Sequence, residues 1–146
     1  MRGTPFGACL LACTLAIVTP AAYSAGCSVS TSGLNFGNYD VFSTLDNEIT
    51  GSIDVSCQAS TTYSISLSSG FGTYASRSMT SGTNVLAYNL YIDPTRLTIW
   101  GDGSSGTSTV SGSGTTGSSP VFGRIPARQN AFVGTYSDIV TVTVTF

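Results

Sequence analysis

A chain of 146 residues has room for one domain, and 41% hydrophobic residues are enough to build its core. Five arginines, no lysine and seven carboxylates leave a net charge of −2, so there is no electrostatic footprint for nucleic acid or an anionic membrane. Histidine is absent, which excludes Ser-His and Cys-His nucleophiles, imidazole metal ligands and histidine acid-base pairs. No enzyme and no cofactor are expected, and abundant Gly, Ser, Thr and β-branched residues point to an all-β chain.

The first two dozen residues read as a secretory signal. Arg2 supplies a positive start, "FGACLLACTLAIV" an apolar run, and Pro20 precedes the small-residue stretch "AAYSAG". Cleavage is expected after Ser24 or Ala25, which makes 1–24 the signal and 25–146 the mature domain. An apolar run of about 13 residues is too short for a hydrocarbon core that needs roughly 20.

Export changes the meaning of the four cysteines. Cys9 and Cys13 leave with the signal, and Cys27 and Cys57 remain as an even pair in an oxidising compartment, which suggests a disulfide. Closing a loop of about 30 residues contributes roughly 3 to 4 kcal/mol in the chain-entropy view. "LLAC" and "SAGC" also resemble lipoprotein cleavage boxes. The first has little apolar sequence ahead of it, and the second lacks the apolar residue three before the cysteine.

Beyond Cys27 the chain reads as short strands with turn-rich spacers. Strands are expected at 27–31, 33–39, 48–57, 62–69, 85–93, 97–101 and 120–126, with a last one at the C-terminus. In Ile49, Gly51, Ile53, Val55 and Cys57, and again in Tyr63, Ile65 and Leu67, a period of two gathers the apolar side chains on one face. Two such sheets packed face to face make an immunoglobulin-like β-sandwich. Residues 101–120, "GDGSSGTSTVSGSGTTGSSP", are so poor in apolar groups that they read as a long flexible surface loop. A calcium site on Asp102 would need several oxygen ligands, and the segment offers one carboxylate.

No other stretch carries chemistry. Asp46 and Glu48, the closest carboxylate pair, fall in a turn-like region and read as solvated. The glycines of "GFGTYASRSMTSG" do not separate a strand from a helix, as a phosphate-cradling loop requires. In the closing "GTYSDIVTVTVTF", Val140, Val142, Val144 and Phe146 share a face, and the row is expected to be core. Fully buried, those four side chains would contribute on the order of 6 to 12 kcal/mol, comparable to the net stability of a domain.

Taken together, "CSVSTSGLNFGNYDVFS", "GSIDVSC", "YSISLSSGFGTYASRSM", "LAYNLYIDPTRLTIWGDG", "VFGRIPARQNAFVGTYSD" and "VTVTVTF" resemble the spore coat protein U domain, the fold of Csu-type subunits of archaic chaperone-usher pili. The resemblance implies a sandwich lacking its final strand. A periplasmic chaperone lends that strand, and at the outer-membrane usher a neighbouring pilus subunit replaces it with its own N-terminal strand. It also implies that Val140, Val142, Val144 and Phe146 form the strand beside which the donor pairs, and that Cys27 and Cys57 are the family disulfide. Tyr136 and Asp138 match motif positions, either packing the sandwich or fixing its turn. Pilus-forming members resemble one another in carrying an alternating donor segment before the first cysteine, and this chain has only "AG" or "G" there. A terminal or tip position in a fibre is therefore expected, with a secreted coat or matrix protein, or an adhesive binding module, as the alternatives.

Overall fold

The computed structural model describes residues 26–146, so the expected export signal with Cys9 and Cys13 lies outside the described residues. Every regular element among the described residues is a strand: β1 (Cys27–Thr31), β2 (Asn47–Leu67), β3 (Arg77–Ser81), β4 (Asn84–Tyr91), β5 (Val110–Ile125) and β6 (Val142–Thr145). They join in one antiparallel sheet of order β1-β2-β5-β4-β3, with β6 also on β2.

The frame is the ladder between β2, with 21 residues, and β5, with 16. Its register slips where Ser56 faces Thr116 but Thr61 faces Gly114, so β2 takes five steps while β5 takes two. Extra residues on one strand bend the pair and raise its twist. The sheet curls there, and its two halves close on a common core. Because β2 keeps its odd residues inward on both sides of the bend, Ile53, Val55 and Cys57 share that core with Tyr63, Ile65 and Leu67. Met79, Leu86, Tyr88, Leu90, Trp100, Val121 and Ile125 complete it. The alternation legible in the sequence is the alternation observed.

Two buried polar groups close the far end of the core. Trp100 is fully buried, and its indole N–H donates to the Ile65 carbonyl at 3.0 Å. Arg77 is 0% exposed, and its guanidinium donates to the carbonyls of Ser68 (2.8 and 3.1 Å) and Trp100 (2.7 Å) and to Asn89 Oδ1 (2.6 Å). Burial lowers its pKa, yet its planar fork joins the end of β2, β4 and the segment after β4.

Several sequence expectations change. Residues 48–57 and 62–69 are not two strands but the two halves of β2, and β3 went unread inside a glycine-rich stretch. Residues 33–39 run without a ladder partner, and 97–101 contribute only isolated bridges, Tyr91 with Ile99 and Trp100 with Ser108. The reading of 101–120 as one flexible loop is corrected in its second half, because β5 begins at Val110. After Val110, which packs against the core, residues 111–119 have no apolar side chain of their own, but β2 supplies one. Tyr63 is buried, and its ring lies over the bare backbone of Gly112 and Gly117, where a Cβ would collide with it.

Candidate functional site: an apolar groove with open walls

β1 and β6 lie on the same edge of β2, opposite β5. β1 starts at the middle of β2, with Cys27 facing Cys57, and runs toward the N-terminal end of β2, with Thr31 facing Ile53. β6 arrives from the other end, pairing Val142 with Leu67 and Thr145 with Ser64. The continuations of these strands diverge from the middle of β2 with opposite chain directions. Between them lies a groove of about 430 Å³, floored by Ile53, Leu67, Met79, Tyr88, Leu90 and Val121.

Local chemistry holds each wall in place. On the β1 side, Leu34 and Phe36 reach the floor, with Phe36 edge-on to Tyr88 at a centroid distance of 6.0 Å. The Asn47 side-chain amide donates to the carbonyls of Phe36 (3.0 Å) and Asn38 (3.2 Å), doing from a side chain what a neighbouring strand would do. Tyr39 then ties this wall to the end of β5, its hydroxyl donating to the Pro126 carbonyl and accepting from the Gln129 amide, both at 2.8 Å.

On the opposite wall, Ser137 exchanges backbone bonds with Thr80 of β3 at 2.9 and 3.1 Å, and Thr141 accepts from the Ser68 amide at 3.0 Å. Tyr136 donates its hydroxyl to the Phe132 carbonyl at 2.9 Å and so fixes the turn leading in. Asp138 does more. One carboxylate oxygen accepts from the amides of Phe71 (2.9 Å) and Ile139 (2.7 Å), and the other accepts from the Tyr88 hydroxyl (2.6 Å). Burial first and this bond second raise the Tyr88 pKa. Gly70, at φ +60°, lies under the carboxylate where a Cβ would collide with it.

The residues expected from the sequence fall unequally. Cys27 and Cys57 are bonded, at directly opposed positions with a Cα–Cα distance of 4.0 Å. Val140 and Val142 line the groove, and Val144 packs against the core, but all three are only half-buried. Phe146 is 59% exposed, so a fully buried Val and Phe row is corrected. The reason is that β6 has a single ladder partner, β2, among the described residues, and its side chains are covered from one side. Asp46 and Glu48 also prove not to be simply solvated. Glu48 pairs with Arg96 (3.0 Å) and Arg124 (2.8 Å), and Asp46 with Arg124 (3.3 Å). Sequence reading missed Arg77 and the bracing role of Asn47. Neither carries a local signal, because their partners lie on other elements.

A second cavity of about 550 Å³ continues the groove, sharing Leu34, Phe36, Met79 and Tyr136 with it. At its mouth Phe42, Phe132 and Val133 stand exposed.

Residues 12–143 match the Spore Coat Protein U domain. The chain belongs to the Spore Coat Protein U domain family. Protein U of Myxococcus xanthus is 36% identical over 141 residues, covering 86% of this chain and 78% of that protein. Among solved structures, the CsuC-CsuE chaperone-tip adhesion subunit pre-assembly complex, from archaic chaperone-usher Csu pili of Acinetobacter baumannii, contains a chain with the same fold. The TM-score is 0.63 at 24% identity, over 84% of this chain but only 40% of that one. The Spore Coat Protein U domain described here is thus an all-β, immunoglobulin-like fold with a curled sheet, one disulfide and an open groove.

Proposed function

We propose that this protein is a structural subunit of an extracellular chaperone-usher fibre, and that its groove takes in an extended strand from another polypeptide. The observation that carries the reading is the groove itself. Its floor is apolar, and neither wall has a ladder partner on the groove side among the described residues. A strand laid there pairs with the backbone of the walls and buries alternate side chains on the floor, which is strand addition. Because the walls run in opposite directions, it is antiparallel to one and parallel to the other.

Under this reading a periplasmic chaperone fills the groove after export, and a neighbouring subunit replaces the chaperone strand at the outer-membrane usher. Val140, Val142 and Val144 form the accepting strand, with Phe146 at its end. The solved complex of like fold, which joins a chaperone to a subunit, supports the chaperone step. The decisive experiment is periplasmic expression with and without the cognate chaperone. Dependence on the chaperone for soluble protein is expected, whereas a soluble, cooperatively folding monomer without it would overturn the reading.

A secreted coat protein of the same domain type is the second reading, favoured by the family description and by the relative named Protein U. Surface material separates the two. Fibres yield multimers that survive unheated detergent, and a coat that does not donate strands yields monomers.

A further inference from the structure

The groove carries one charge on its inner wall, and that charge restricts what can lie there. Among the described residues, Asp138 is the only formally charged side chain lining the inner groove, and Asp40 the only one lining the continuing cavity. No arginine among the described residues lines either, and the chain has no lysine or histidine.

A carboxylate offers about four acceptor positions. Asp138 uses three, for Phe71, Ile139 and Tyr88, which leaves one on the oxygen that meets Tyr88. The nearest buried cation does not take it. Arg77 spends its hydrogen bonds on Ser68, Trp100 and Asn89, and no ion pair joins it to Asp138 among the described residues. A strand that fills the groove strips water from the remaining position, which is costly unless the strand brings a donor. A second carboxylate placed there adds like-charge repulsion in a dry site.

We infer that the groove selects extended polypeptide segments with alternating apolar residues that set a hydrogen-bond donor level with Asp138, such as a hydroxyl, an amide or a basic side chain, and rejects segments that set a carboxylate there. The inference rests on the strand-accepting role proposed above and gives that role a specificity.

The test refolds the oxidised full chain with synthetic 15-residue peptides of alternating Val and Thr. Thr, Lys or Asp is substituted at each inward-facing position in turn, and affinity is read by titration. At one position the Asp peptide should bind roughly 30-fold more weakly than the Thr or Lys peptide. Asp138→Asn should erase that difference. Tyr88→Phe, which frees a further lone pair on Asp138, should widen it. If no peptide binds, the strand-accepting role fails. If the parent peptide binds but Thr, Lys and Asp are equivalent at every position, that role stands and the inference is overturned. Discrimination that persists in Asp138→Asn, or is unmoved in Tyr88→Phe, overturns it as well.

Discussion

The Tyr88 hydroxyl donates to Asp138 at 2.6 Å, joining the middle of β4 to the segment that leads into the last strand, across 50 residues of sequence. Tyr88 is buried and Asp138 accepts two backbone amides besides, so one carboxylate holds the groove wall to the sheet. Tyr88→Phe removes a charge-assisted bond and leaves the ring in place. The expected loss is about 1.5 to 3 kcal/mol, read from urea unfolding of the oxidised chain. The raised Tyr88 pKa adds a pH dependence: its stabilising contribution is full below the ordinary value near 10 and declines as pH rises above it. Tyr88→Phe should flatten that alkaline decline.

Arg77 makes a harsher prediction. Arg77→Met keeps much of the apolar stem but leaves the carbonyls of Ser68 and Trp100 without their buried donor. A cost of at least about 3 kcal/mol is expected, since each unsatisfied buried group costs about 1 to 3 kcal/mol. Arg77→Lys should recover little, because an ammonium cannot span three acceptors on different elements as a guanidinium fork does. Thermal unfolding of the two variants side by side checks both statements.

The turn after β4 is predicted to resist acid. The Asp93 carboxylate accepts from the Thr95 hydroxyl and from the amides of Thr98 and Leu97, which pull its pKa down to about 2. A depressed folded pKa stabilises the turn above the ordinary carboxylate value near 3.9, and the contribution is lost as pH falls through about 2. A carboxyl resonance titrating near 2, with the Thr98 amide protected from exchange down to pH 3, is the expected outcome. Titration near 4 would contradict it.

β5 depends on a contact that no local pattern shows. Gly117→Val puts a side chain where the Tyr63 hydroxyl lies. Overpacking of this kind costs about 1 to 3 kcal/mol. The double variant Gly117→Val with Tyr63→Ala should show coupling, because the clash is gone once the ring is removed. Additive losses in a double-mutant cycle would break the proposed link between the two residues.

Val142 lines the groove at the point where β6 joins β2. Val142→Asp places a charge among the apolar floor residues and is expected to abolish capture by the chaperone in a periplasmic pull-down. Thr143→Asp, at an exposed position on the opposite face of the strand, should be captured normally. Normal capture of the Val142 variant would show that the accepting face is wrongly assigned.

Strand alternation depends on neighbours two residues apart, so the sequence by itself determined the inward residues of β2, from Ile53 to Leu67, and the face shared by Val140, Val142 and Val144. It also determined that a disulfide would join Cys27 to Cys57, because no other cysteine remained to pair once export was inferred. Other features rest on contacts across dozens of residues. Residues 111–119 lack apolar side chains and are ordered by Tyr63 from another strand, while residues 33–39 have strand composition but are braced by Asn47 instead of a ladder. Only the tertiary structure decided these, together with the burial of Arg77 and the half-cover of the last strand. What a segment becomes there depends on whether a neighbour reaches it, and beside β6, on the groove side, no described residue does.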